Sequence, residues 1–407
     1  VSETVTNSNY DTWGNLTNST VTITDVATQK NMTTTTTNAF GNTTEQQYGR
    51  LQSTTVQKSR TGQATSTRKS AFSYNSDRML QTSVVSPNST ATKLTTQYTY
   101  DIYGNKTSVS VTGFVTATGS NQTRTTTSEY DSRGRYLKYK QNALGERVTY
   151  QYNGTPPDSV TGVITSTTET GPNGLSTITS LDAFGQATHI DHPDSKATSI
   201  TKEYGSFSVT GAHYRVKKTV TASPEKQVLY DKWGREIAAR VQGFDGAWVT
   251  STTSYDSQGR QSSVSEPNSS MHFTTFSYDA LGRVSQINRP NGQNVKQQVY
   301  GLESRTTNEL GQVSKVFTNG FGETASTEDA LGNTVAFTYD AYGNLLTSIT
   351  TADGKTSTVS AVYDNWGRKT RTVDPIKGTW NYTYNAFGEL YTQKTANNHT
   401  FTFSYDV

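Results

Sequence analysis

The chain has 407 residues, with 36 basic and 33 acidic side chains, a formal net charge of +3 and no cysteine. Hydrophobic residues make up 31% and the mean hydropathy is −0.69. Even so, 24 Tyr, 14 Phe and 5 Trp set it apart from disordered chains, which combine low hydrophobicity with high net charge and few aromatics. Without Cys there is no disulfide framework, thiol nucleophile or thiolate metal site. Mixed charge without a basic stripe argues against nucleic acid as a partner, and no apolar run is long enough for a membrane span.

The sequence opens on polar "VSETVTNSNY", with no initiator Met and no signal peptide. It closes on "FTFSYDV", part-way through a motif of its own. We read residues 1–407 as one repeat region and as a piece of a longer polypeptide. The motif is Tyr-Asp-x-x-Gly. It occurs at Tyr10-Asp11/Gly14, Tyr100-Asp101/Gly104, Tyr130-Asp131/Gly134, Tyr230-Asp231/Gly234, Tyr255-Asp256/Gly259, Tyr278-Asp279/Gly282, Tyr339-Asp340/Gly343 and Tyr363-Asp364/Gly367. Looser forms fill the intervals, such as "NAFGN" at Asn38, "NALGE" at Asn142, "LDAFGQ" at Leu181, "EDALGN" at Glu328 and "NAFGE" at Asn385. Copies are degraded over about 42–94, where "FSYNSDRMLQ" at Phe72 lacks the Gly.

Each residue type has a backbone reason to be there. Asp or Asn at the first loop position accepts a hydrogen bond from an N–H two residues on. Gly three residues later supplies the positive φ that closes a three- to five-residue hairpin loop. "GPNGL" at Gly171, "RPNGQ" at Arg289 and "TADGK" at Thr351 read as a second, tight class of turn alternating with the first. Aromatics before the turns alternate, as in Tyr98/Tyr100, Phe276/Tyr278, Phe337/Tyr339 and Trp380/Tyr382/Tyr384. Period two puts each set on one strand face. Stacked hairpins are then expected to carry an aromatic ladder, with Thr and Ser opposite. Helix signals are nearly absent. The expected fold is all-β, a long antiparallel array of β-hairpins.

The unit G-R-x-x-x-x-x-x-P-N-G-x-x-x-x-x-Y, with Tyr-Asp-x-x-Gly-Arg, resembles the YD repeat of the Rhs family, which includes the B and C components of Tc toxins and the teneurins. The resemblance runs from about Tyr10 to Tyr405 and weakens between Gly41 and Leu94. It implies that the hairpins wind as a spiral strip into a hollow single-walled β-shell able to enclose a toxic C-terminal segment.

Several residues invite other chemistry. His189, Asp191, His192 and Asp194 in "THIDHPDS" have a pattern that a divalent metal could use; the alternative is a polar turn before Pro193. Asp and Glu pairs are abundant, but a glycosidase needs two carboxylates converging in one cleft, whereas the repeat places each Asp in a turn. "TNGFGETAS", with Gly320 and Gly322, lacks the glycine fingerprint of a nucleotide loop. "DPIKGTWNYTYNAFGE" from Asp374 only superficially matches the aspartyl self-cleavage segment that the resemblance suggests, so Asp374 reads as a turn residue. Sequons such as Asn15, Asn42 and Asn88 are expected by chance in so Asn- and Thr-rich a chain, and "NMTTTTTNAF" reads as a Thr-rich strand rather than a mucin-like stretch.

The expectation is therefore a structural wall segment, not an enzyme, with no catalytic, cofactor-binding or metal-binding residue. The resemblance implies a secreted or surface-delivered bacterial protein whose partner is an effector or toxin domain of the same parent chain, together with other toxin-complex components. The alternative is a cell-surface adhesion element in which turn tryptophans Trp13, Trp233 and Trp366 contact glycans or partner proteins.

Overall fold

The computed structural model describes residues 1–41, 49–89, 91–115, 120–155 and 163–406. Among them run 33 strands, from β1 (Ser2–Tyr10) to β33 (Thr400–Thr402), and no helix. Each strand pairs antiparallel with the next in sequence, so the chain is one continuous meander. Every second loop lies on the same edge of the strip. The Tyr-Asp loops all fall on one edge, called here the Tyr-Asp edge, and the remaining loops on the far edge.

The expected loop geometry is present. After β1 the Asp11 N–H donates to the Asn15 carbonyl at 3.0 Å, Gly14 N–H donates to the Asp11 carbonyl at 3.1 Å, and Gly14 has φ +80°. This is a type I turn followed by a left-handed residue that makes a bulge. The Asp11 carboxylate accepts from the N–H groups of Trp13 and Asn15, both at 2.9 Å. Gly343 sits at the same place with φ +82°, and a Cβ built there meets nothing within 4 Å. Gly343→Val is therefore penalised by its backbone alone, by about 1–2 kcal/mol. Amide exchange at Asp340 and Asn344 should speed up about tenfold, and unchanged exchange would remove the turn assignment.

Two expectations about turns need correction. "GPNGL" and "RPNGQ" adopt the same five-residue loop as the Tyr-Asp turns, with Gly174 N–H to Gly171 carbonyl and Gly292 N–H to Arg289 carbonyl, both 3.0 Å. A tight two-residue turn would require an N–H from the residue before Asn, and Pro172 and Pro290 have none. Only "TADGK" is tight: Ala352 pairs with Lys355, and Asp353 and Gly354 have φ 49° and 71°. Nor is the segment after Phe72 degraded in structure. Between β5 (Ser66–Tyr74) and β6 (Leu80–Val85), Arg78 takes φ +68° in place of Gly and Asn75 heads a regular loop. Asn42 and its neighbours 43–48 lie outside the described residues.

Strand faces follow the period-two reading. In β31 (Gly378–Tyr384), Trp380, Tyr382 and Tyr384 are half-buried, while Asn381 and Thr383 are exposed. On the Thr face hydroxyls bond across strands, at 2.6 Å for Thr338 with Thr347 and for Thr383 with Thr392. "NMTTTTTNAF" lies wholly within β3 (Lys30–Gly41), where Thr33 and Thr35 bond Thr22 and Thr20 of β2 (Leu16–Asp25). Burial is shallow throughout a single layer. Among the described residues, full burial of an apolar side chain occurs only at Leu229 and Ala238, near the Gly205–His213 excursion between β15 (Ala197–Tyr204) and β16 (Tyr214–Val220).

The clasped hairpin and the seam between windings

Tyr rather than Phe precedes Asp because of an unpaired carbonyl. Between β26 (Thr324–Glu328) and β27 (Thr334–Tyr339) the ladder ends at Ser326 with Ala336. The Thr324 carbonyl beyond it would be left without a donor, a costly state for a backbone group shielded from water. Tyr339 Oη donates to it at 3.0 Å. The same clasp joins Tyr100 to Leu80 (2.7 Å), Tyr255 to Glu236 (2.8 Å), Tyr278 to Gln261 (2.6 Å) and Tyr384 to Lys369 (2.9 Å). Burial pushes the Tyr339 and Tyr384 phenols up, keeping them protonated as donors.

The fifth loop residue completes the clasp. Arg235, Arg260, Arg283 and Arg368 each give Nε to the Oδ2 of the Asp that heads the loop, at 2.6–2.7 Å. Three of these guanidinium groups also lie over a tyrosine of the next hairpin: Arg235 over Tyr255, Arg260 over Tyr278 and Arg368 over Tyr384, at 4.2–5.0 Å. Burial raises the Asp231 carboxyl, but the N–H of Arg235, its guanidinium and the N–H of Trp233 outweigh this and hold it below the ordinary carboxylate range. The expected aromatic ladder is thus largely replaced. Ring-to-ring contacts among the described residues are few, such as Tyr214 on Tyr230 at 4.7 Å, and cations fill the spaces between rings.

First and fifth positions also follow a donor–acceptor rule that the Tyr-Asp-x-x-Gly motif does not contain, the Asn75 loop with Met79 fifth being an exception. Asp at the head accepts from a donor: Asn15, Asn105, Asn333, Asn344 or Arg. Asn at the head has already committed its oxygen to backbone N–H groups, so its Nδ2 donates to an acceptor: Glu146, Gln312, Glu323 or Glu389. The signal was present in "NALGE" against "DALGN". Asn142→Asp should place two carboxylates face to face and speed exchange of the loop amides a few-fold. Adding Glu146→Asn recreates "DALGN" and should restore protection, whereas a double variant no slower in exchange than the single would refute the rule.

The strip returns on itself. The turn between β2 and β3 meets the turn between β25 (Val313–Thr318) and β26, where the Gly320 N–H donates to Asp25 Oδ2 at 3.3 Å. The end of β8 (Lys106–Phe114), ahead of β9 (Asn121–Tyr130), meets the turn between β31 and β32 (Leu390–Lys394), where Ala386 N–H donates to the Phe114 carbonyl at 2.8 Å. Both contacts span 23 strands, so one winding takes about that many. In this seam the far edge of the first winding abuts the Tyr-Asp edge of the second.

Two ion pairs lock it. Arg60 makes a bidentate pair with Glu323 at 2.7 and 3.0 Å, with both side chains at least four-fifths buried. Arg124 pairs with Glu389 at 2.5 and 2.9 Å. Both acids close Asn-headed loops, which leaves them able to take a guanidinium from the other winding. Arg60 also lies over Phe321 at 4.6 Å, Arg124 over Phe387 at 4.1 Å and Arg68 over Tyr342 at 3.7 Å. Trp366, grouped by sequence with the exposed turn tryptophans, is instead half-buried in the seam near Arg68; Trp13 and Trp233 are exposed.

The tempting residues are accounted for locally. His189 bonds Asp191 and Ser199, both at 3.0 Å, and His192 heads the loop before Lys196 and bonds Thr198 at 2.9 Å. Among the described residues no group of three or more His, Asp or Glu side chains could hold a metal ion. Asp374 caps its turn by accepting from Ile376 and Lys377 N–H at 2.8 and 2.9 Å. The turn aspartates Asp101, Asp231, Asp279 and Asp340 are spread along the edge, each bonded within its own loop. Among the described residues no helix is long and apolar enough to cross a membrane.

Comparison with known proteins agrees with this geometry. A family model described as the RHS repeat matches residues 250–293 and 319–356. No curated protein matches the sequence. Among crystal structures, TcdB2-TccC3-Cdc42 is 11% identical with a TM-score of 0.70, covering 99% of this chain and 31% of that one. TcdB2-TccC3 gives 11% and 0.62, covering 99% and 29%. TcdB2-TccC3 without its hypervariable C-terminal region gives 11% and 0.61, covering 98% and 32%. The chain thus spans about a third of the length of the solved chains it matches. Residues 250–293 and 319–356 thus carry RHS repeats, and the spiral of clasped hairpins shares its fold with these solved structures.

Proposed function

We propose that the chain is a wall segment of a larger secreted or surface-delivered Rhs/YD-repeat protein, which encloses or scaffolds an effector segment of the same polypeptide. The role is structural and needs no catalysis by these residues. The observation that carries the reading is the seam: a single-layer strip closes edge to edge on its own earlier winding, through paired side chains and backbone hydrogen bonds. Such closure makes a continuous wall, whereas an isolated adhesive strip needs none. The Tc complexes whose fold it shares contain TccC3, which supports a toxin-complex setting.

The test uses the full reading frame. Limited proteolysis should spare an enclosed downstream segment while the seam is intact and cut it once Gly320→Val opens the seam. Cleavage at one rate in both proteins overturns enclosure. A second reading, adhesion, is favoured by the exposed rings of Trp13 and Trp233, at 55% and 69%. It requires glycan binding that Trp233→Ala abolishes without changing the melting temperature.

A further inference from the structure

Four Asn-Gly pairs occur in the chain: Asn153-Gly154, Asn173-Gly174, Asn291-Gly292 and Asn319-Gly320. Such a pair can modify itself. The glycine nitrogen attacks the asparagine Cγ, and no Cβ on the glycine obstructs the five-membered ring that forms. The attack needs that nitrogen free of a hydrogen bond, since a bonded N–H is held protonated. Three of the pairs are guarded locally. Gly174 and Gly292 each donate to the carbonyl that heads their own loop, at 3.0 Å. Asn153 lies within β11 (Arg147–Thr155), where its Nδ2 donates to Ser166 Oγ at 3.2 Å.

Asn319-Gly320 is guarded by the seam instead. Asn319 heads its loop, so Gly320 is the second loop residue, whose N–H finds no acceptor within the turn. That N–H donates to Asp25 Oδ2 of the other winding at 3.3 Å. An anionic acceptor holds the amide proton in place, because deprotonation beside it would set two negative charges together. Asn319 Oδ1 accepts from the Phe321 and Glu323 N–H groups, at 2.9 and 3.1 Å. Its Nδ2 donates to Glu323 Oε2 at 2.8 Å, the oxygen that also takes Arg60 Nη2. The amine that would leave as ammonia is therefore bonded to the acid of the lock.

We propose that Asn319-Gly320 is a one-way latch, kept intact while the windings touch and converted to aspartate or isoaspartate once they part. Hydroxide takes the Gly320 N–H proton, and the nitrogen bonds Asn319 Cγ. The Cγ–Nδ2 bond breaks, and ammonia leaves with a proton from water. Water then opens the succinimide at either carbonyl, with no change of oxidation state. Aspartate sets a carboxylate against Glu323 where an amide donated before. Isoaspartate lengthens the loop backbone by a methylene. Either product removes a donor from Glu323, so a seam that has opened does not close again as it was. The inference rests on the seam contact and not on what the wall encloses.

Peptide mass spectrometry of the whole chain, incubated at mildly alkaline pH, tests it. Asp25→Asn keeps a side-chain oxygen for the N–H groups of Ala27 and Thr28 but withdraws the charged acceptor. Arg60→Leu instead loosens the lock with Asp25 intact. Asn319 should convert about tenfold faster in each variant than in the parent, seen as the gain in mass when NH2 becomes OH. Asn173 and Asn291 should keep their parent rates. Conversion of Asn319 at the parent rate in either variant overturns the proposal. Acceleration shared by Asn173 and Asn291 overturns it too, because it would trace the reaction to unfolded hairpins. Asn319→Asp reports on reclosure: the Gly320 amide should exchange about tenfold faster than in the parent, and parent-like exchange overturns the one-way step.

Discussion

Gly320→Val is expected to unzip the seam while leaving the hairpin that carries it formed. Gly320 has no left-handed backbone requirement; its constraint is space. A Cβ there would stand 2.7 Å from the Asp25 Cβ and 2.9 Å from the Asp25 Cα, and the latter cannot swing aside. Overpacking of this kind costs about 3 kcal/mol at its upper end, or roughly a hundredfold in the exchange rate of amides protected only by the contact. The readout lies 295 residues away in sequence: amides of the β2–β3 turn such as Ala27 and Gln29, which bond Asp25 within their own turn, should exchange faster by a smaller factor as Asp25 is displaced. Gly322, two residues on, has φ +81° and open space around it, so Gly322→Ala should disturb only its own loop. Equal effects from both variants would mean that the windings do not touch at Asp25.

Arg124→Leu should loosen the second lock by about 2 kcal/mol, since it removes two charge-assisted hydrogen bonds and leaves Glu389 half-satisfied by Asn385. The pH dependence carries the same signature. Arg124 holds the Glu389 carboxyl below its ordinary value near 4.5, against the opposing push of burial. A depressed folded value contributes stability that is complete above the unfolded value and is lost as pH falls through the folded one. Acidification below about 4.5 should therefore release the β31–β32 turn from β8 and β9 in the parent chain. The Arg124→Leu protein should show little further loosening over that range, and an identical acid transition in both would refute the role given to the pair.

What the sequence could and could not disclose divides by range. Asp11, Asp231 and Gly343 act within five residues of chain, so turn chemistry alone located them. Pro290 misled because Asn-Gly is a strong signal for a two-residue turn, and the missing N–H of the preceding residue decided otherwise. Tyr339 was legible as one member of an alternating face, but not as a clasp, because its partner is a carbonyl left over where the ladder ends. The donor–acceptor match of Asn385 with Glu389 was readable in principle from paired identities four residues apart. The seam was not: whether Arg60 meets Glu323 depends on how many strands complete a winding, a quantity that accumulates from small twists along the whole strip.

Shallow burial has a thermal consequence. Unfolding raises heat capacity in proportion to newly wetted apolar surface and lowers it in proportion to polar surface. With Leu229 its only large side chain wholly out of solvent among the described residues, and much of its structure held by main-chain and hydroxyl hydrogen bonds, the strip should unfold with a smaller heat-capacity increment per residue than a domain with a thick interior. Its stability curve should then be broad and flat, little weakened by chilling and declining gradually on warming.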